Sequence, residues 1–136
     1  MMKSVTQVRV RYAEVDQMGF MYYGNYAQYY EIGRAVLIRD VGYPYSQMEK
    51  DGTVMPVVKM SSKFIKPALY DELITIETEM MERANFGFMI FNHKLFNEKQ
   101  ELLHTAEVVL TFFNTQLQKR VSMPEKLKVL IESHFK

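Results

Sequence analysis

Tyr12-Ala13-Glu14-Val15-Asp16-Gln17-Met18-Gly19-Phe20-Met21-Tyr22-Tyr23-Gly24-Asn25-Tyr26 sets an acid, a tight turn and a helix start in close succession. Gly19 and Gly24 supply turn geometry. Asn25 stands where an N-cap belongs, and Gln28 completes a capping-box-like pair. Tyr26, Tyr29, Tyr30, Gly33, Val36, Leu37 and Val41 then recur on one helical face, and Gly42 stops the run. The pattern predicts one long helix buried along one side. Its start presents unpaired backbone N–H groups and positive dipole, which can hold a carbonyl oxygen as that oxygen gains negative charge. Asp16, just upstream, would supply an attacking or water-activating carboxylate; the plainer alternative is an acid that accepts the turn N–H groups before Gly19.

Outward from this stretch the period changes. Val8, Val10 and Tyr12 alternate with Arg9 and Arg11 and predict a first strand with one buried face. Pro44 to Met48 predicts a short helix closed by Gly52, and Pro56 leads into extended chain. Residues 57–65, 72–82, 86–96 and 102–113 read as four strands, with Thr75, Glu77 and Glu79 opposing Ile74, Ile76 and Thr78. Pro124 starts a terminal helix carrying Leu127, Leu130 and Ile131. Connections this short imply antiparallel pairing, so the long helix must cover one face of a curled antiparallel sheet, an α+β arrangement. Residues 1–136 are expected to form a single domain.

Composition narrows the chemistry. The absence of Cys removes disulfides, thiol nucleophiles and Cys-based zinc sites, and the three His are too scattered to suggest a metal site. Lys plus Arg is 17 against 16 for Asp plus Glu, which gives no general attraction to nucleic acid or to an anionic membrane. The first residues alternate polar and apolar without the apolar run of a signal peptide, and no span reaches transmembrane length, so a cytoplasmic protein is expected. No cofactor is expected.

The sheet-around-helix layout, with residues 16–26, resembles the hot-dog fold of the 4-hydroxybenzoyl-CoA thioesterase family, in which a long central helix is wrapped by a curled antiparallel sheet. The motif of that family begins with a basic and an aliphatic residue, here Arg9-Val10, and runs through Asp16 and Gly19 to Tyr22, Tyr23 and Tyr26. Residues 67–73 resemble its link between the second and third strands, and residues 124–127 its closing helix start, so the likeness spans nearly the whole chain. The sequence departs from it at Val15, Phe20 and Met21, which change packing, and at Tyr23, where many members have His.

The resemblance implies an acyl-CoA thioesterase with Asp16 acting without a His partner, as nucleophile or as general base. It places the Tyr23 backbone N–H at the oxyanion position, and implies substrate contacts from Gly19, Tyr22, Gly24, Asn25 and Tyr26. It also implies self-association to a dimer or tetramer, with sheets joined edge to edge and each site lying between two chains. Lys59, Met60, Ser61 and Arg83 are the candidates for the acyl and nucleotide parts of the substrate, each with the alternative of a solvated surface group. Tyr22, Tyr26, Tyr29, Met60 and Phe64 suggest an apolar or aromatic pocket without naming the acyl group. Glu31 is placed on the buried helix face, with Arg34 as its partner or with a pocket-orienting role. His93 and His104 read as exposed or core histidines.

Two rivals share these packing residues. A non-catalytic acyl-CoA-binding or acyl-carrier-protein-binding module could dispense with Asp16. A hot-dog dehydratase acting on 3-hydroxyacyl thioesters would need a His with an acid at the helix mouth, and no His lies between Met1 and Asn92.

Overall fold

The computed structural model describes residues 2–80 and 87–134. Strand β1 (Met2–Arg9) leads through a one-turn 3-10 segment at Tyr12–Glu14 and another at Tyr23–Asn25 into helix α1 (Tyr26–Val41). Helix α2 (Tyr45–Lys50) and strands β2 (Thr53–Val54), β3 (Val57–Phe64), β4 (Leu73–Met80), β5 (Phe88–Phe96), β6 (Leu102–Asn114) and β7 (Lys119–Val121) follow, and helix α3 (Glu125–His134) closes the order. The sheet runs β1-β4-β5-β6, with β2, β3 and β7 also pairing to β6, and every pairing is antiparallel. A long helix against a curled antiparallel sheet is the hot-dog arrangement.

Strand alternation sets which face meets the helix. Along β4, Ile74, Ile76, Thr78 and Met80 are buried, while Thr75, Glu77 and Glu79 lie on the other face as expected. The expected end of this strand at Glu82, the start of the next at Phe86, and Arg83 lie outside the described residues. The first strand begins earlier than its alternation suggested and ends at Arg9. Val10 stays buried and its amide still bonds to the Glu72 carbonyl, but Tyr12 has left the sheet and is exposed.

The helix follows the predicted span and ends at Gly42, whose φ of 109° is the left-handed C-cap conformation. Its buried face is Tyr26, Tyr29, Tyr30, Gly33, Arg34, Leu37, Ile38 and Val41. The expected face is corrected at four places, of which Val36, only half-buried, and Ile38, fully buried, are two. Glu31 is exposed and forms no ion pair with Arg34, while Arg34 itself turns inward. At Gly33 the helix presses onto β4: an added Cβ would lie 2.2 Å from Thr78 Oγ1 and 3.0 Å from Ile76 Cγ2.

Two packed clusters result. One gathers Val10, Met21, Tyr26, Tyr29, Tyr30, Ile74 and Leu103 under the start of α1. The other gathers Leu37, Ile38, Val41, Met48, Phe91, Phe112 and Leu127 under its end. The two outer strands differ. β1 carries buried residues against α1, whereas all eight residues of β3 are exposed although one of its edges pairs with β6 along its length, apart from an irregularity at Val58.

Candidate active site

The loop between β1 and α1 is built on two acids. The Asp16 carboxylate oxygen Oδ1 accepts the amides of Met18 at 2.9 Å and Phe20 at 3.3 Å, and the Gly19 amide donates to the Asp16 carbonyl at 3.0 Å. Gly19 has φ +78°, which a side chain would oppose. Asp16 is therefore the turn former that local chemistry suggests, but this consumes one oxygen only. Oδ2 makes no hydrogen bond among the described residues.

Glu14 braces the same loop from beneath. Its carboxylate accepts the Arg11 amide at 2.8 Å and the Tyr29 hydroxyl at 2.9 Å, and pairs with the Arg11 guanidinium at 3.2 Å. Its carbonyl accepts the Tyr22 amide and the Asn25 side-chain amide, each at 2.9 Å. Burial pushes the Glu14 carboxyl up, but the Arg11 and Tyr29 donors outweigh it and hold it below its ordinary value. Sequence reading missed this residue. The available signal was an acid flanked by Arg11 and facing a tyrosine on the buried stripe.

Asn25 does not cap the helix. It lies in the helical region of backbone space, inside the 3-10 turn, and its side chain ties the turn to Glu14 instead. The capping box with Gln28 is absent for the same reason, and Gln28 is exposed. The helical run thus opens at Tyr23, and the Tyr23 and Gly24 amides, first in that turn, make no turn or loop backbone hydrogen bond among the described residues. The Tyr22 ring crosses Gly24, where an added Cβ would meet its Cε2 at 2.7 Å.

Asp16, Phe20, Met21, Tyr22, Tyr23 and Tyr26 line a cavity of about 510 Å³ that is closed on its other side by residues 64–67. The predicted acid, the helix mouth and three of the predicted aromatic walls, Tyr22, Tyr26 and Phe64, are therefore together. The Tyr26 and Phe64 rings meet edge to face at 5.2 Å. Tyr29 is not a wall but a buried brace for Glu14. Lys66 reaches the cavity but is paired with Glu101. Lys59, Met60 and Ser61 lie farther along β3 and are outside it.

Beneath Tyr26 runs a column of rings. His104 stacks on Tyr26 at 4.3 Å, its Nδ1 is 2.5 Å from the Tyr30 hydroxyl, and Tyr30 stacks on His93 at 4.5 Å. His93 Nε2 accepts from the Arg34 guanidinium at 3.2 Å, so its Nδ1 carries the proton donated to Thr78 Oγ1 at 3.1 Å. Burial pushes His104 down to about 4, and burial with the nearby Arg34 charge pushes His93 down to about 3. Both are core histidines, neutral near pH 7. Among the described residues no His, Asp and Glu group could hold a metal ion, and no helix is long and apolar enough to cross a membrane.

Residues 10–131 match the model of the thioesterase-like superfamily. YneP of Bacillus subtilis (strain 168), which bears an acyl-CoA thioesterase name, is 38% identical over 73% of this chain and 71% of its own. The acyl-CoA thioester hydrolase YbgC of Escherichia coli O157:H7 is 25% identical over 88% of this chain and 89% of its own. Among solved structures, a DHNA-CoA thioesterase from Staphylococcus aureus superposes with a TM-score of 0.90 at 30% identity, covering 98% of this chain and 89% of that one. With the hot-dog architecture and the Asp16 loop in place, these matches make the chain a member of the thioesterase-like superfamily.

Proposed function

We propose that this protein hydrolyses the thioester of an acyl-CoA to the free acid and CoA, with Asp16 as nucleophile or general base and the Tyr23 backbone N–H as the oxyanion site. The observation that carries this reading is the cavity in which the Asp16 carboxylate, with one oxygen held by the loop and the other without a partner, shares space with the open end of the helical run. The names of the similar proteins support the same substrate class.

The chemistry asks for few groups. A thiolate leaves readily because thiols have pKa values of about 8.5, so no strong general acid is needed on the sulfur. What must be supplied is an attacking oxygen and a donor for the carbonyl oxygen as it becomes negative. Asp16 either attacks the carbonyl carbon, expelling the thiolate and leaving an anhydride for water to open, or removes a proton from water that attacks directly. The unpaired amides at Tyr23 and Gly24 stabilise the oxyanion in both routes.

The bare β3 edge supports self-association. Val57, Val58, Met60 and Phe64 are between 39% and 56% exposed on a strand whose outer edge is open, which is an unstable arrangement for an isolated chain. Two copies pairing along β3 would cover it and set Lys59, Met60 and Ser61 on the seam, within reach of substrate bound beside the partner. Sedimentation should give a dimer or tetramer, and a fully active monomer would contradict the shared site.

Asp16→Asn tests the chemistry because it keeps shape and removes the charge. We expect kcat to fall by on the order of 10² or more, with KM within a few-fold. Near-normal turnover of a panel of acyl-CoAs, read by release of free thiol, would refute the assignment.

A further inference from the structure

A second cavity, of about 300 Å³, lies at the other end of β3, lined by Val54, Met55, Pro56, Val57 and Leu110 and by three polar side chains of the helix side, Glu31, Arg34 and Tyr45, with Glu49 on its rim. Arg34 is 6% exposed, and its Nη1 is engaged by His93. The Tyr45 hydroxyl lies beside the guanidinium and interacts with it, yet among the described residues neither Arg34 Nε nor Tyr45 Oη has a hydrogen-bond partner of proper geometry. Two buried donors left without acceptors are costly, and their placement in one cavity calls for a group that satisfies both.

β3 therefore has a cavity at each end: the Asp16 cavity at Phe64 and Ile65, and the Arg34 cavity at Pro56 and Val57. Antiparallel pairing of two β3 strands about a two-fold axis near their middle sets the head of one beside the tail of the other. We propose that the Asp16 cavity of one protomer continues into the Arg34 cavity of its partner, and that Arg34 and Tyr45 of the partner subunit bind a hydrogen-bond-accepting group at the far end of the acyl chain. This rests on the thioesterase reading and on pairing along β3.

The charges at the cavity define the group further. Glu31 and Glu49 at the opening oppose a full anion, while the apolar wall excludes a strongly hydrated one. A neutral acceptor fits: a hydroxyl or carbonyl oxygen that takes one bond from Arg34 Nε and one from Tyr45 Oη. The substrate class is then an acyl-CoA bearing a distal hydroxyl or oxo group. Rejection of analogues lacking that oxygen follows because the two donors would again be buried unpaired.

The test uses 4-hydroxybutyryl-, 6-hydroxyhexanoyl- and 8-hydroxyoctanoyl-CoA beside the unsubstituted acyl-CoAs of equal length. At the length that spans the cleft, kcat/KM should favour the hydroxylated member by roughly five- to tenfold, and Tyr45→Phe, which removes one oxygen, should bring the ratio down several-fold. Arg34→Lys should do the same. A ratio near one at every length, as water-filled donors would give, or a ratio unchanged in both variants, overturns the proposal.

Mixing Asp16→Asn protomers with Tyr45→Phe protomers tests the sharing. A cleft built across the pair leaves one wild-type site in each mixed dimer, so the hydroxyl preference returns; a cleft within one chain leaves none, and the preference stays lost. If no acyl-CoA is hydrolysed, the thioesterase reading fails, and equilibrium binding of the same pairs to the Asp16→Asn protein still decides the matter. Tighter binding of the hydroxylated member supports the cleft, and equal binding overturns it.

Discussion

The first three turns of α1 meet their surroundings through rings and hydrogen bonds, with Tyr26, Tyr29, Tyr30 and Arg34 facing Glu14, His93 and His104, whereas the last turns pack Leu37, Ile38 and Val41 on Phe91 and Phe112 of the sheet and Leu127 of α3. One helix thus serves two kinds of interior. The aliphatic half gains free energy from every methylene it removes from water. The polar half must first recover the cost of dehydrating hydroxyls, imidazoles and a guanidinium, and mutual hydrogen bonding recovers only part of it, since Arg34 Nε, Tyr45 Oη and His104 Nε2 remain unmatched. Of these, only His104 Nε2 lies beneath the Asp16 site, under Tyr26, while Arg34 Nε and Tyr45 Oη line the second cavity at the other end of β3. Leu37, Ile38 and Val41 line neither, so stability and site chemistry should be separable along the helix.

The sharpest break in this comparison is Phe112→Ala, in the apolar half. Loss of a fully buried ring should cost about 3–5 kcal/mol of unfolding free energy, measured as a shift in urea midpoint. Turnover of the folded protein should stay within twofold. A comparable loss in kcat would mean that the two halves are not separable.

Acidification should act on the polar half. His93 and His104 have folded values near 3 and 4, below the ordinary 6.5, so the unfolded chain binds more protons between about pH 6.5 and 4. Their contribution is fully present above pH 6.5 and is lost as the pH falls. By pH 4.5 each should remove on the order of 2 kcal/mol. Glu14, held low by Arg11 and Tyr29, adds a loss in the same direction below its ordinary value. Equal urea midpoints at pH 7 and pH 4.5 would contradict the burial of neutral histidines. For the same reason kcat/KM should show no histidine limb between pH 5 and 8.

The smallest expected effect is Tyr29→Phe, which removes one hydroxyl from the Glu14 carboxylate. A single bond to a charged acceptor is worth about 1.5 kcal/mol, and that loss should appear in the unfolding midpoint. Because Glu14 also holds the Tyr22 amide and the Asn25 side chain, kcat should fall a few-fold as well. A stability loss without any change in kcat would mean that the Glu14 brace does not position the site.

Much of this was legible in the residues. Alternation along β4 and the Gly42 stop follow from steric and hydrophobic rules that act locally, and the sequence shows them directly. The inward turn of Arg34 does not, because a guanidinium belongs to the surface by any hydropathy reading; only its partner His93, 59 residues away, makes burial tolerable. Asn25 fails as a cap because Glu14 offers its side chain a better acceptor across the loop. β7 escaped notice because three residues at Lys119–Val121 carry too short an alternation to register. At the site, Asp16, Tyr22, Tyr23 and Tyr26 were readable from their order in the chain, while Glu14 and the Arg34 cavity depend on contacts between distant segments.

The column from Tyr26 to Arg34 has a consequence for how the chain folds. Its links join positions 74 and 59 residues apart, Tyr30 to His104 and Arg34 to His93, so they cannot form until β5 and β6 have been synthesised, paired and brought to the helix. Contacts of such long sequence separation are slow to close. Until then the hydroxyls, imidazoles and guanidinium stay solvated on a half-packed face, and their dehydration is a late event. The aliphatic end of α1 can gather only Tyr43 and Met48 early, because its other partners, Phe91, Phe112 and Leu127, come as late in the chain as those of the polar column.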